Sequence, residues 1–218
     1  MTFPPGLTAA DGTARPLHLL DRETLPGWLQ AQPEPVRQWV QAHAFEASPG
    51  SWLTLPADGG GDPGAILGVG ERLDPFSYAH APFALPAGDW RPAGVPDDGV
   101  REALAIGWGL GSYRFDRYKK APRAPARLAL EAGADALAVI AACRRVRDLV
   151  NTPTQDMGPD ELEAAAREIA DAHGGSVESI AGDELLKRNF PAIHAVGRAS
   201  HRAPRLLQIG RASCRERV

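Results

Sequence analysis

The pattern of apolar and polar positions predicts short strands and amphipathic helices in the first half of the chain. Apolar runs bounded by Pro and Gly predict strands at Leu17–Leu20 (at the edge of a sheet), Ser51–Leu55, Ala65–Val69 and Phe83–Leu85. The runs around Glu34–Ala44 and Val100–Trp108 predict two helices, the first from its three-and-four spacing. A Gly-rich stretch at 58–64 predicts the loop of a β-hairpin. Residues 1–16 have little to bury and are predicted to form a loose arm.

Helical periodicity becomes clearer in the second half. Asp135–Val150 carries one apolar face, formed by Ala136, Val139, Ile140, Cys143, Val146 and Val150. A second helix has a complete set of end signals, since it begins at Pro159 with acidic residues and stops at Gly174-Gly175. The shorter predictions that follow are a strand at Val177–Ile180, a helix at Asp183–Arg188, and strands at Ile193–Val196 and Arg205–Gln208. This alternation favours a layered α/β fold.

Length and charge limit the classes of protein that the chain can belong to. Its 218 residues suffice for one large domain or two small ones. A net charge of -3 argues against a nucleic-acid or membrane-surface partner, because such proteins are usually basic. No apolar run is long enough to span a bilayer, and the N-terminus lacks the apolar core of a secretory signal. Two distant cysteines, Cys143 and Cys214, predict no disulfide framework and a cytoplasmic location.

Two Gly-rich patches are the first candidates for chemistry. Gly68-Val69-Gly70 and the stretch Gly107–Gly111 resemble pieces of nucleotide-binding loops. Neither completes G-x-G-x-x-G, and no GK[ST] follows to hold a phosphate. We therefore predict that the glycines serve backbone flexibility at turns.

Metal-binding and nucleophilic motifs are also missing. The histidines include no i, i+4 pair and no H-E-x-x-H; they are His18, His43, His80, His173, His194 and His201. Asp160, Glu161 and Glu163 are explained by a helix start, and no G-x-S-x-G elbow occurs. From the residues alone, the sequence predicts an α/β protein without an assignable active site.

Three segments, in this order, resemble the leucyl (cytosol) aminopeptidase family. They are GLGSYRFDRYKK (109–120), RDLVNTPTQDMGPDELEAAAREIA (147–170) and HAVGRASHRAPRLLQI (194–209), the last as a strand–loop–strand. The likeness is clearest from about 103 to 208, and Arg198 departs from it where a Gly is usual. The resemblance implies a macro-domain-like N-terminal α/β domain over 1–132, a linker helix over 133–150, and the truncated start of an α/β metallopeptidase domain over 151–208.

The same resemblance assigns structural roles to several residues. Asn151 and Pro153 are expected to turn and stiffen the connection between the domains. Three aromatic residues are predicted to be core or interface anchors: Tyr113, Phe115 and Tyr118. Three cationic residues are predicted to be solvated charges: Arg117, Lys119 and Lys120.

The function that the resemblance implies is removal of N-terminal residues, of the leucine type, from peptide substrates. In such enzymes two divalent metals, zinc or manganese, are bound by Asp, Glu and Lys side chains, activate water and polarise the peptide carbonyl. The full-length enzyme is expected to be a cytoplasmic hexamer. The ligand-bearing motifs Gly-Lys-Gly…Phe-Asp-Ser/Thr-Gly-Gly and Asn-Thr-Asp-Ala-Glu-Gly-Arg do not occur in this sequence. No residue is therefore assigned as catalytic, cofactor-binding or metal-binding, and this chain alone is expected to be inactive. The alternative is a stand-alone macro-domain-like binding or regulatory module, since macro domains bind nucleotide-like ligands.

The last ten residues, Ile209–Val218, have an unusual sequence. IGRASCRERV reads as the translation of a widely used sequencing adapter. We predict that this tail is not native and that the authentic sequence ends near Leu207. The other interpretation is a natural basic tail with a free cysteine.

Overall fold

A computed structural model describes residues 4–9, 12–57, 63–70 and 74–210. The chain divides into two compact units, Met1–Arg147 and Asp148–Val218. Helices and strands occur in both units, and the predicted α/β class is confirmed. None of the helices in the described ranges is long and apolar enough to cross a bilayer.

The first unit is built around a six-stranded sheet. Its elements are β1 (Leu7–Thr8), β2 (Arg15–Leu20), α1 (Thr24–Gln30), α2 (Glu34–Ala42), β3 (Trp52–Thr54), β4 (Ala65–Gly68), a 3₁₀ turn (Pro75–Ser77), α3 (Ala81–Ala84), β5 (Asp89–Pro92), α4 (Asp98–Gly111), β6 (Arg127–Ala129) and α5 (Ala134–Asn151), whose last residues belong to the second unit. The strand order is β1-β6-β5-β2-β4-β3. Only the pairing of β3 with β4 is antiparallel. That pairing is the predicted hairpin; five residues of its loop, 58–62, lie outside the described residues.

The position of β2 corrects two predictions about the N-terminal residues. β2 pairs with β4 on one side and with β5 on the other, so it is a central strand and not an edge strand. Leu17 in this strand is completely buried, as expected where parallel strands are covered on both faces. The loose arm is also wrong for β1, because Leu7 is buried and pairs with Leu128 of β6.

The strand predicted at Phe83–Leu85 is a helix, α3, and the strand lies further along as β5. Pro82 lies in the first turn of α3, where its missing amide hydrogen costs nothing. Trp90 of β5 is fully buried, and its indole N–H donates to the Pro86 carbonyl at 3.0 Å. The buried tryptophan was masked in the sequence by the polar and proline residues on either side of it.

Two apolar clusters fill the first unit. The larger cluster includes β5, α4 and the first half of α5, with Trp90, Trp108, Leu104 and Ile140 among its members. The smaller cluster joins α1 and α2 to Ile66 of β4.

The apolar face predicted for α5 is buried only at its beginning. Ala136 and Ile140 are buried, whereas Val139, Val146 and Val150 are 42%, 58% and 78% exposed. Ile140 packs on Gly109 of α4, and about two turns later Arg147 donates to the Leu110 carbonyl. The first turns of α5 therefore pack in the apolar core, and the helix continues beyond it.

The second unit contains α6 (Pro159–Ala172), β7 (Ser176–Ala181), α7 (Glu184–Lys187), α8 (Pro191–Gly197) and β8 (Arg205–Gly210). α6 begins as predicted, since the Glu161 carboxylate accepts from the Gly158 amide at 2.8 Å. β7 and β8 pair in antiparallel fashion. The strand predicted at Ile193–Val196 is wrong: Pro191 starts α8 there, and His194 approaches Asp183 at 3.2 Å (Nε2 to Oδ1). The predicted strand–loop–strand is thus helix–loop–strand.

The apolar core of the second unit is small. Within its described residues, the buried apolar side chains are Ala170, Ile180 and Leu185. Ile209 and Gly210 extend β8 opposite Val177 and Ser176, and 211–218 lie outside the described residues. The non-native tail therefore stays a prediction.

Candidate functional site

A cavity of about 330 Å³ opens at the carboxyl ends of the central parallel strands in the first unit. Leu17 and Leu19 of β2, Val69 after β4 and the segment 92–96 after β5 line it, together with Asp21, Thr24, Tyr78 and Val100. The chain goes from β2 to β4 on one side and then returns to β5 on the other, so this is a topological switch point of the sheet. Ligands of open α/β sheets bind preferentially at such points.

Asp21 supplies a fixed negative charge to the cavity wall. Its Oδ1 accepts from the Thr24 hydroxyl at 2.7 Å, from the Thr24 amide at 2.8 Å and from the Glu23 amide at 3.0 Å. The Thr24 hydroxyl is the largest of the causes that lower the pKa of Asp21. The carboxylate is therefore ionised at neutral pH.

Tyr78 is the unusual residue of the lining. Its side chain is completely buried, and its hydroxyl has no hydrogen-bond partner among the described residues. Burial, followed by the charges of Asp97 and Asp74, raises the pKa of Tyr78 to about 12. Both aspartates are held in place by backbone amides: Asp74 accepts from Phe76 and Ser77, and Asp97 from Val100.

Replacing Tyr78 with phenylalanine is expected to leave the free energy of unfolding unchanged or to raise it by up to about 1 kcal/mol, because an unpaired buried hydroxyl is removed. Ser112→Ala is the control, since the buried Ser112 hydroxyl donates to the Trp108 carbonyl at 2.7 Å. That variant should lose about 1 kcal/mol. Urea unfolding followed by tryptophan fluorescence measures both. A loss for Tyr78→Phe as large as that for Ser112→Ala would mean that the tyrosine hydroxyl is paired.

The glycines of α4 lie inside the helix and not at a turn. A Cβ on Gly107 would lie 2.1 Å from the Pro75 carbonyl oxygen, and one on Gly111 would lie 1.9 Å from that of Ala79. A Cβ on Gly109 would lie 2.5 Å from Ile140. The prediction of flexible turn glycines is wrong for this patch. These glycines let neighbouring backbone approach the helix.

A polar cluster connects α6 to the two strands of the second unit. Glu163 is buried and accepts from Arg205, from Arg167 (Nη2 to Oε1, 2.6 Å) and from Ser179 (2.8 Å). Arg205 also pairs with Asp160. Hydrogen bonds from Arg205, Arg167 and Ser179, in that order, lower the pKa of Glu163 to about 2. Arg205, Arg167 and Ser179 all donate to Glu163, so the cluster positions β8 on α6 and does not present a free acid or base; the buried Nε of Arg205 has no hydrogen-bond partner among the described residues.

The stability of the second unit should depend on pH through Glu163. An unfolded glutamate takes up a proton near its ordinary pKa of 4.5, whereas the folded one stays ionised down to about 2. The stabilisation is therefore complete above about pH 4.5 and is lost as the pH falls towards 2. Hydrogen exchange of β7 across this window measures it. The Glu163→Gln variant should be less stable at neutral pH, and its stability should change less as the pH falls through this window.

The matched control is Glu178→Gln, because Glu178 is half-exposed and pairs at 2.7 Å with Arg188. This variant should keep the pH dependence. Equal flattening by both variants would contradict the role given to Glu163.

The residues to which the family resemblance assigned structural roles lie at the end of α5 and in the segment that follows α4. α5 ends at Asn151, and the buried Thr152 donates its hydroxyl to the Asp148 carbonyl at 2.6 Å. Tyr113 and Phe115 are partly buried, whereas Tyr118 is 53% exposed and is no core residue. Its ring contacts Phe115, with centroids 5.7 Å apart. As predicted, Arg117, Lys119 and Lys120 are exposed.

The described residues do not fit the metal pair that the resemblance implies. No group of three or more His, Cys, Asp or Glu side chains in the described ranges is placed to hold a metal ion. The histidines are spread over both units, and His194 lies within hydrogen-bond distance of Asp183. The assignment of no catalytic, cofactor or metal ligand to this chain stays a prediction.

Comparison with known proteins shows the class of protein to which this two-unit α/β chain belongs, because both units match aminopeptidase domains. The model of the M17 aminopeptidase N-terminal domain matches residues 15–131, and that of the cytosol aminopeptidase family catalytic domain matches 144–216. The first match alone exceeds half of the chain. The chain therefore belongs to the M17, or cytosol, aminopeptidase family.

Individual relatives agree with this family. A probable cytosol aminopeptidase of Streptomyces avermitilis is 34% identical over 147 residues, which are 59% of this chain and 27% of that protein. One from Mycobacterium bovis is 33% identical over 54% of this chain and 25% of its own length. The cytosol aminopeptidase structure from Coxiella burnetii has a TM-score of 0.84 at 31% identity and covers 93% of this chain and 45% of that chain.

The matches extend over only part of each relative. The chain spans about a quarter of the curated relatives and a little under half of the Coxiella structure. The alternative of a stand-alone macro-domain-like module is not favoured, because the family models and the relatives are aminopeptidases.

Proposed function

We propose that this chain is part of a metal-dependent aminopeptidase that removes N-terminal residues, of the leucine type, from peptides. The observation that carries the proposal is the pair of consecutive family matches, to the N-terminal domain over 15–131 and to the catalytic domain over 144–216. The order of the two matches along the chain supports one enzyme and not two unrelated modules.

The metal ions, in this proposal, are held by residues outside the 218. The two ligand motifs of the family are missing from the sequence. One solved relative, the bottromycin maturation enzyme BotP, is described as a complex with manganese; it covers 91% of this chain at 24% identity and a TM-score of 0.71. We propose two divalent ions, zinc or manganese, for the longer enzyme.

The surface of the second unit supports a larger catalytic domain. Leu162, Leu186, Val196 and Ile209 are all exposed, and β7 and β8 form a sheet of two strands. Two strands seldom suffice for a stable sheet in water. We propose that further chain covers these side chains in the complete enzyme, which is cytoplasmic, as the names of its relatives suggest, and hexameric.

The test compares this chain with the longer product of its native locus. Both are incubated with leucyl-aminomethylcoumarin and manganese or zinc, with and without EDTA. The longer product should release the fluorophore and lose its activity in EDTA, whereas the 218-residue chain should show no turnover above a heat-denatured control. The mass of the longer product, measured by light scattering, tests whether it is a hexamer.

Two results would contradict the proposal. Turnover by the 218-residue chain would mean that its own residues form an active site. A native locus that continues without a cluster of lysine and carboxylate residues would remove the peptidase assignment. The native locus also tests the origin of Ile209–Val218, because codons that differ from the sequencing-adapter sequence would show that the tail is native.

A further inference from the structure

A second cavity of the first unit, about 440 Å³ in volume, lies at the amino ends of β1 and β6. We propose that this basic cavity binds a small molecule that carries a phosphate group next to a compact apolar part. The site lies within the first unit, and its occupation does not depend on the peptidase activity proposed above. Its physical basis is a group of fixed and accessible cations beside an apolar wall.

The lining of the basic cavity carries four cationic side chains and one carboxylate. The cations are Arg114, Lys120, Arg123 and Arg144, and the carboxylate is that of Asp116. The whole chain, in contrast, has a net charge of -3. Cations gathered in one concave surface repel one another and attract an anion, so this part of the chain is suited to an anionic ligand.

Two of these cations are held in place by groups that carry no charge. Arg123 donates to the carbonyl of Leu85 at 3.0 Å and to that of Phe83. Arg114 donates to the Tyr113 carbonyl at 3.0 Å. Both guanidinium groups also lie near the Phe83 ring, with their Cζ atoms 3.6 Å (Arg114) and 5.5 Å (Arg123) from its centroid. These contacts bring the two cations close together and orient them without neutralising either.

The cations remain available to a ligand. Within the described ranges, none of the ion pairs includes Arg114, Lys120, Arg123 or Asp116. Arg114 and Lys120 are exposed and Arg123 is partly exposed, so a molecule in the cavity can touch all three. The two carbonyls use two of the five N–H groups of Arg123. The others can donate to phosphate oxygens, whose geometry matches the guanidinium fork.

The remainder of the lining fits a compact apolar group. Pro5, Ala121, Ala124 and Pro125 supply aliphatic surface, and the partly buried Tyr113 supplies an aromatic ring. The volume is in the lower part of the range of small-molecule sites. An inorganic anion would leave this surface in contact with water, whereas an organic phosphate would cover it.

The test uses four small probes: phenyl phosphate, inorganic phosphate, benzoate and benzylamine. Each is titrated into the 218-residue chain at about pH 7.5, where a phosphate group carries nearly two negative charges, and binding is followed by amide chemical shifts. Phenyl phosphate should saturate and move the amides of Ala121 and Ala124. Inorganic phosphate lacks the ring and benzoate has a single charge, so each should bind at least about fivefold more weakly. Benzylamine, a cation, should leave these amides unmoved.

Variants assign the effect to the basic cavity. Lys120→Gln and Arg114→Gln should each lower the affinity for phenyl phosphate about fivefold. Lys119→Gln is the matched control, because Lys119 is exposed, precedes Lys120 and does not line the cavity. Asp116→Asn should raise the affinity about threefold, since the lining then loses its carboxylate. Damage to the fold would not produce such a gain.

Three results would overturn the proposal. They are equal binding of phenyl phosphate and either inorganic phosphate or benzylamine, equal affinities in Lys120→Gln and Lys119→Gln, and an affinity in Asp116→Asn that does not rise. If Arg114→Gln fails to fold because its contact with Phe83 is lost, the variants of Lys120 and Asp116 decide, since both side chains are exposed. Failure here leaves the peptidase proposal intact, because that assay measures turnover by the longer enzyme.

Discussion

Replacing Gly107 with alanine is expected to lower the free energy of unfolding of the first unit by about 3 kcal/mol, because an inserted methyl group cannot be accommodated. The new Cβ would lie 2.1 Å from the Pro75 carbonyl oxygen and 3.1 Å from the Tyr78 Cβ. A carbonyl group of the main chain cannot rotate away as the end of a flexible side chain can. Either α4 or the 3₁₀ turn must move, and the larger apolar cluster moves with it.

Gly99→Ala is the matched control for this prediction. Gly99 lies in the first turn of the same helix, and its nearest contact for a Cβ is the Asp97 Oδ1 at 3.5 Å, an ordinary distance. Alanine there should stabilise the helix by up to about 1 kcal/mol, since glycine is the poorer helix former. Urea unfolding followed by fluorescence measures both variants, because all five tryptophans precede residue 148. Similar losses in the two variants would refute the steric argument.

The sequence predicted well those elements that carry their own end signals. Pro159, Glu161 and the glycine pair 174–175 mark both ends of α6, and the helix in the structure is Pro159–Ala172. α5 was predicted within one residue at each end, because its periodicity extends over five turns.

Short apolar runs were predicted less well. A run of three or four residues does not distinguish a helix from a strand, and both runs predicted wrongly follow a proline that starts a helix, Pro82 in α3 and Pro191 in α8. A proline one or two residues before such a run was the signal that could have corrected the prediction. The buried face of α5 was overestimated for another reason, since periodicity reports where a face is apolar and not how far the packing partner extends.

The cavity could not be predicted, because its parts are distant in sequence. Asp21, Tyr78 and Val100 come together only once β2 lies between β4 and β5. No local pattern sets that strand order. The α4 glycines carried a signal of another kind: three glycines at steps of two inside a helical run indicate close packing more than a turn.

The second large effect is expected in the other unit, where Leu185→Ala should abolish cooperative folding. Leu185 is 0% exposed and is one of three buried apolar side chains in the described part of that unit. Truncating a fully buried leucine costs about 3 kcal/mol, and a unit with so small a core has little more than that to lose. Hydrogen exchange measures the effect, because fluorescence reports on the first unit alone.

Leu186→Ala is the matched control, because it truncates the same kind of side chain at the next residue of α7, where the leucine is 48% exposed and not part of the core. In Leu185→Ala, the amides of β7 and β8 should exchange as fast as in an unfolded chain, while the tryptophan unfolding curve stays unchanged. In Leu186→Ala, the same amides should keep most of their protection, since a half-exposed side chain contributes about 1 kcal/mol or less. If protection of β7 fell equally in both variants, the second unit would be held together by its ion pairs around Glu163 and not by its apolar core.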